Sequence, residues 1–311
     1  MSSQEPVEDS RPYRGRFAPT PSGPLHLGSL LTAVASFVDA RAARGVWLLR
    51  IDDLDPPRVR PGAESKILRQ LDALGLHWDG SVQRQQGRQA VYDQALQALQ
   101  STGMLYSCAC SRRDRAAEDA STGGCRQNCA AQSMAFQRGR TALRLKAQKS
   151  PQRIFDLIQG EYPSEPLRQP PDFIVLRRDG LHAYHLATVV DDAESAISRV
   201  FRGSDLLPAT LAQTVLQDLL GLPRPHYAHG PLVLAPDGRK LSKSEGDAAS
   251  IKENPSRLLS FLLKSLQHPP PQALTQAPVT ELLDWAICHW QRDRLKHQAS
   301  FCLNPKELPP Q

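Results

Sequence analysis

The sequence lacks long hydrophobic runs: nowhere in its 311 residues does a stretch approach the roughly 18 consecutive apolar residues that a membrane-spanning helix needs. It also lacks an apolar leader. Met1 to Tyr13 is hydrophilic and mixes both signs of charge, which excludes the pattern of a secretory signal and that of an Arg-rich transit helix. A flexible tail over residues 1–13 and a cytoplasmic, reducing compartment are the expectations. In that compartment the six cysteines point to thiols or a metal rather than to disulfides. No segment repeats another, so the length is shared among unlike parts. What is present is a hydrophobic content of 40%, enough for a buried core, and a net charge of +6 with a pI near 9.1. That balance suits a partner rich in phosphate.

Two short segments far apart carry most of the information. The first is Pro19-Thr20-Pro21-Ser22-Gly23-Pro24-Leu25-His26-Leu27-Gly28-Ser29. It places a Pro/Gly turn and then an imidazole where a strand gives way to a helix, so that the helix N-terminus and His26 can face phosphate oxygens. The second, Lys240-Leu241-Ser242-Lys243-Ser244, puts two ammonium groups on a polar loop flanked by Gly238 and Gly246, able to close over a leaving pyrophosphate. Alone, an imidazole near a turn is often structural and a Lys/Ser loop often merely solvated. Together, in this order, they read as one ATP site, with Pro19, Gly23, His26, Gly28, Ser29 and Lys243 around the nucleotide.

The surrounding pattern is that of a nucleotide fold. Residues 14–18 predict a short strand, 28–44 a helix with Leu30, Leu31, Val34, Phe37 and Val38 at helical spacing, Gly45 a stop, and 46–51 a continuous apolar strand. Such a run suits a buried parallel sheet. Asp52, Asp53 and Asp55 then fall at the carboxyl end of that strand, where doubly wound folds place ligand contacts; an acidic turn before the next helix is the alternative. Helices are expected over 62–74 and 87–101. From about Ser107 to Pro171 the chain is cysteine-bearing, basic and low in strand signal, as an insertion would be. Strands are expected at 173–176, 187–190 and 231–234, and helices at 211–219, 255–266 and 279–294.

By this point the residues resemble a known family. Arg16-Phe17-Ala18-Pro19-Thr20-Pro21-Ser22-Gly23, His26-Leu27-Gly28-Ser29, Arg50-Ile51-Asp52-Asp53-Leu54-Asp55, Tyr184-His185-Leu186-Ala187, Val189-Val190-Asp191-Asp192, Arg202-Gly203-Ser204-Asp205 and the KLSKS loop look like the catalytic half of class I glutamyl-tRNA synthetases. The likeness covers roughly residues 14–250. The sixty residues that follow are too few for an anticodon-binding domain. That shortened plan, with cysteines in the insertion, is similar to the glutamyl-queuosine tRNA(Asp) synthetase family.

The resemblance implies an α/β fold, a Rossmann-type doubly wound parallel sheet in two halves (14–104 and 173–250), with a zinc-bearing insertion (105–172) and a small helical C-terminal module (251–311). It implies an AMP-forming ligase that activates L-glutamate with ATP and Mg²⁺ and attaches it to queuosine in tRNA(Asp). A truncated glutamyl-tRNA synthetase charging the 3′ end is the alternative reading. His26 and Lys243, helped by Lys240, would act on the phosphates. Arg16, Phe17, Ala18, Pro19, Thr20, Asp52, Tyr184 and Arg202 would hold glutamate, the planar guanidinium fork suiting its side-chain carboxylate. The family usually has glutamate where this chain has Asp52. Cys108, Cys110, Cys125 and Cys129 can close a tetrahedral Zn²⁺ site with no open position; spacing alone leaves zinc and unpaired thiols both open, and the resemblance implies zinc, with Cys125 where the family usually has tyrosine. Arg112, Arg113, Arg115, Arg126, Arg138, Arg140, Arg144 and Lys146 are the expected tRNA contact. Cys288 and Cys302 are expected to be packing thiols, and the protein a monomer.

Overall fold

A computed structural model of the chain describes residues 11–111, 129, 134–146, 153–162, 172–235, 238–239 and 254–302. The chain opens with strand β1 (Arg14–Phe17), helix α1 (Leu27–Ala42) and strand β2 (Val46–Ile51), followed by α2 (Ala63–Ala73), β3 (Gln83–Arg84) and α3 (Gln89–Ser101). Then come β4 (Leu105–Cys108), β5 (Ala142–Leu145), β6 (Ile154–Asp156), β7 (Gly160–Tyr162) and β8 (Phe173–Leu176). The remainder is α4 (Tyr184–Glu194), β9 (Arg199–Gly203), α5 (Leu207–Leu220), β10 (His226–Gly230), β11 (Leu232–Leu234), α6 (Pro255–Ser265), α7 (Val279–His289) and β12 (Ser300–Cys302).

Strand β2 pairs in parallel with β1 on one side and β3 on the other, and β10 pairs in parallel with β9 and β6. The two groups meet where β9 runs beside β1. There the Ser198 N–H donates to the Arg14 carbonyl at 2.9 Å, and the Arg14 N–H donates to Ser198 Oγ at 2.9 Å. The parallel sheet expected from the apolar runs is therefore present. Helix α1 lies between this sheet and helices α6 and α7, which is why it is buried nearly all round, from Leu30 and Leu31 through Phe37, Val38 and Ala40. Gly45 serves close approach rather than a left-handed stop. A Cβ there would lie 2.6 Å from the Tyr13 carbonyl oxygen, while the positive φ of 52° belongs to Arg44.

Several expectations are corrected. Residues 187–190 are not a strand but the middle of α4, where Leu186 to Asp192 are all buried. A short apolar run inside a helix enclosed on every side has no period to betray it. Nor is the insertion poor in strands: β4 and β5 join β8 in an antiparallel sheet, while β6 adds to β10 in parallel and β7 pairs antiparallel at its outer edge. Each has only three or four residues, too few for alternation to register. The helix expected over 279–294 ends at His289 and is followed by a 3-10 turn over Arg292–Leu295.

The last module is not a separate body. Leu258, Leu259, Leu262, Leu263, Leu282 and Ala286 belong to the same apolar cluster as α1 and β2. One buried carboxylate fastens it: Asp39 accepts from Trp290 Nε1 at 2.7 Å, from Arg292 Nε and Nη2 at 2.9 and 3.0 Å, and from the Tyr13 hydroxyl at 2.6 Å. Tyr13 thus lies inside the folded body, not in the tail expected over 1–13. Strand β12 then pairs in parallel with β11, and the Leu232 N–H donates to the Ala299 carbonyl at 2.9 Å. Among the described residues, no helix is long and apolar enough to cross a membrane. Asp39→Ala should lower unfolding stability by on the order of 3 kcal/mol, because it strands the Arg292 guanidinium and two further donors, Trp290 Nε1 and the Tyr13 hydroxyl; urea denaturation measures it.

Candidate active-site cleft

The carboxyl ends of β1 and β9, the N-terminus of α1 and the start of β11 enclose a cleft of about 320 Å³. Parallel sheets bind ligands at this end. Of the residues singled out in the sequence, Arg16, Phe17, Ala18, Pro19, Thr20, His26, Gly28, Ser29, Tyr184 and Arg202 line this one cleft. Gly23 and Asp52 are not among its lining residues. Lys240 and Lys243 lie outside the described residues, although Leu232 and Val233, on the strand that leads toward them, are part of the wall.

His26 is the N-cap of α1. Its Nδ1 accepts from the Ser29 backbone N–H at 3.2 Å, satisfying one of the donors that a helix start leaves unpaired. In the neutral ring the proton therefore sits on Nε2, 3.0 Å from Ser29 Oγ. Gly28 permits this fold-back, since a Cβ there would come within 3.2 Å of the ring. The imidazole is thus held over the first turn with an N–H at its outer edge.

Arg16 projects from β1 and is buried. Asp192, near the end of α4, accepts from its Nε at 3.1 Å and its Nη2 at 3.2 Å, and the same carboxylate accepts from Arg50 Nη1 at 2.6 Å. Burial alone would raise the Asp192 pKa, but the two guanidinium groups outweigh it and hold the carboxyl below its ordinary range. Asp52 is turned into this network rather than toward the cleft: it accepts from Arg50 Nε at 2.7 Å and is itself buried. Burial outweighs its arginine neighbours and raises its pKa. Its side chain is short and Arg50 lies two residues before it, so the carboxylate closes on that guanidinium in the structure.

Arg202, at the end of β9, is buried and fixed on two of its three nitrogens. Nε donates to His229 Nε2 at 3.1 Å, and Nη2 donates to Thr210 Oγ1 at 2.6 Å and Gln213 Oε1 at 2.8 Å. Its Nη1 is buried with no hydrogen-bond partner, and the residue lines the cleft. An unpaired guanidinium nitrogen in such a place is costly unless an anion meets it. Tyr184, at the first turn of α4, is 39% exposed on the same wall. Sequence reasoning missed Arg50 as a partner, and Asp156, Thr210, Gln213 and His229 altogether; Asp191-Asp192 was noticed as part of a family-like motif, with no role given to either carboxylate.

The model of the tRNA synthetases class I (E and Q) catalytic domain matches residues 13–257. A Pseudomonas aeruginosa protein named glutamyl-Q tRNA(Asp) synthetase is 44% identical over 290 residues, covering 93% of this chain and 97% of its own. One of the same name from Thiobacillus denitrificans is 48% identical over 283 residues, covering 89% and 92%. This chain belongs to the glutamyl-Q tRNA(Asp) synthetase family. The fold also matches a glutamate tRNA ligase of Elizabethkingia meningosepticum, solved in complex with its amino acid, with a TM-score of 0.75 at 23% identity over 96% of this chain and 68% of that one.

In this member of the glutamyl-Q tRNA(Asp) synthetase family, Cys108, Cys110 and Cys129 bring their sulfurs within 4.8 Å of one another, Cys110 and Cys129 being 3.5 Å apart. Thiolates about 2.3 Å from a tetrahedral ion would stand about 3.8 Å from each other, so the three can hold a metal. Arg178 donates to the Cys110 carbonyl at 2.7 Å and also to that of Ala109, which steadies the turn. Cys125, Arg112, Arg113, Arg115 and Arg126 lie outside the described residues. Arg144, one of the expected RNA-facing cations, is buried and donates to the Asp172 carbonyl, whereas Arg140 is exposed. Cys288 and Cys302, expected to pack, are exposed.

Behind Tyr184, burial and the Arg202 charge push His185 down to about 4, and burial lowers His182 and His229 as well. These rings are neutral in the fold and take up protons more readily once the chain unfolds. Stability should therefore fall as pH drops from about 6.5 toward 4, His185 alone accounting for roughly 3 kcal/mol. Urea midpoints measured across that window check this, and His185→Phe should flatten the slope.

Proposed function

We propose that this protein activates L-glutamate with ATP to glutamyl-AMP and transfers the glutamyl group to a hydroxyl of the queuosine cyclopentenediol in tRNA(Asp). The observation that carries this reading is Arg202: a buried guanidinium on the cleft wall with one nitrogen unpaired and the other two fixed. The glutamate side-chain carboxylate would accept from that nitrogen, with Arg16 and the Tyr184 hydroxyl on the same wall. The α-carboxylate then attacks the α-phosphorus and pyrophosphate leaves. Both reactants are anions, so the work is positioning and charge stabilisation.

His26 would donate from Nε2–H to a phosphate oxygen, giving up Ser29 Oγ. Lys243, with Lys240 beside it in sequence, would neutralise the charge growing on pyrophosphate. Mg²⁺ accompanies the ATP and supplies further neutralisation. Cys108, Cys110 and Cys129, with Cys125 as fourth thiolate, would hold one structural Zn²⁺. The names of the relatives support tRNA(Asp) and queuosine as the acceptor. A cytoplasmic monomer acting on soluble tRNA fits this reading.

The deciding experiment measures glutamate-dependent ATP/pyrophosphate exchange, then transfer of labelled glutamate to tRNA(Asp) with and without queuosine. Exchange with queuosine-dependent transfer is expected; labelling of tRNA(Glu) instead would make the protein a truncated glutamyl-tRNA synthetase, and no exchange would remove adenylation altogether. Three variants separate cap from chemistry. His26→Asn, a good N-cap, should keep stability, whereas His26→Ala should lose about 1 kcal/mol. Both should lose exchange by about a hundredfold or more, as should Lys243→Ala with its fold and zinc content intact.

A further inference from the structure

Behind Arg202 lies a polar chain that reaches into the insertion. Asp156, the last residue of β6, is buried and accepts four hydrogen bonds: from the backbone N–H groups of Ile158, Gln159 and His229 at 3.0, 2.9 and 3.0 Å, and, at 2.6 Å, from His229 Nδ1. His229 stands on β10, fully buried, with its ring stacked on Tyr227. Burial by itself would raise the Asp156 pKa, yet these donors hold it below the ordinary carboxylate range.

The partners dictate the tautomer. An ionised carboxylate only accepts, so the proton facing Asp156 is on Nδ1; a guanidinium N–H only donates, so Nε2 must carry its lone pair toward Arg202. The Thr210 hydroxyl, which accepts from Arg202 Nη2, can send its own proton to the Leu206 carbonyl 3.0 Å away. Thr210 Oγ1, 3.1 Å from His229 Nε2, can pair with either tautomer, but Asp156 and Arg202 are both satisfied only in the Nδ1–H form. The reversed tautomer would set two N–H groups against each other at Arg202 Nε.

Resting on the reading of Arg202 as the glutamate-side-chain anchor, we propose that Asp156 and His229 are positioning residues that aim Arg202 into the cleft by holding His229 as the Nδ1–H tautomer. The direct partners of Arg202 are neutral, so its charge stays available to an anion, and the carboxylate that organises them is one residue removed. The insertion thereby sets the geometry of the cleft through β6, although none of its residues lines it.

Asp156→Asn tests this. An amide turned to donate to Nδ1 would force the proton onto Nε2, as the equivalent change does in serine proteases. In full-length protein with ¹⁵N-labelled histidine, the His229 resonances should report Nδ1–H in the wild type and Nε2–H in Asp156→Asn. The glutamate KM in exchange should rise roughly ten- to hundredfold, the effect of losing a hydrogen bond to a charged group, with the ATP KM unchanged. Should Asp156→Asn fail to fold, His229→Gln and His229→Leu give the same comparison. The glutamine oxygen can accept from Arg202 Nε, so its glutamate KM should stay about tenfold below that of the leucine variant. An Nε2–H tautomer in the wild type, an unmoved glutamate KM in Asp156→Asn, or equal KM values in the two His229 variants would overturn the proposal. The tautomer is read without substrate, so a protein lacking glutamate-dependent exchange would sink the functional reading while leaving the hydrogen-bond assignment separately tested.

Discussion

Two guanidinium groups buried in the wall of one cleft are the constraint on which the rest of the structure turns. Removing a cation from water costs several kcal/mol unless acceptors replace its hydration shell, and those acceptors must not cancel the charge that faces the cleft. The chain meets this requirement in two ways. Arg16 is gripped by Asp192, but that carboxylate is shared with Arg50, whose contact at 2.6 Å is the shortest of the three. Arg202 is held by an imidazole, a hydroxyl and an amide, all neutral, with Asp156 kept behind the imidazole.

These requirements tie together parts of the chain that have no local reason to meet. Asp192 comes from α4, Asp156 from the insertion and His229 from the strand beside β9. The C-terminal segment reaches the same region: Ser204 Oγ donates to the Ala299 carbonyl, and Gln159 Nε2 donates to the carbonyls of both His229 and Gln298. Asp39 holds that segment against α1 from the other side. The walls of the cleft are therefore packed against α4, the insertion and the C-terminal segment alike.

Much of the cleft was legible beforehand. The motif around His26 stands at a strand-to-helix junction, and local chemistry is enough to say so: a Pro/Gly turn, an N-cap and an apolar helix follow one another within a few residues. Arg16, Tyr184 and Arg202 came through resemblance, and they do line the same wall. That Asp52 pairs with Arg50 was not legible, because its position in a motif says nothing of which neighbour its short side chain will reach. The helix over 184–194 was misjudged for a related reason. Val189 and Val190 look like strand residues, and only the enclosure of that segment on all sides tells against it. Asp156 and His229 carry no spacing signal at all, being 73 residues apart.

Taken by itself, the sequence determined the features that depend on neighbours along the chain: the first βαβ unit, the cap on α1, the parallel sheet implied by continuous apolar strands, and the close set of cysteines. Tertiary structure alone decided which carboxylate each arginine would meet, which tautomer His229 would adopt, and that the last fifty described residues share the core of the first fifty. Those outcomes turn on contacts between distant segments, where a difference of one hydrogen bond or one methylene group selects the partner, and no periodicity or local propensity encodes that choice.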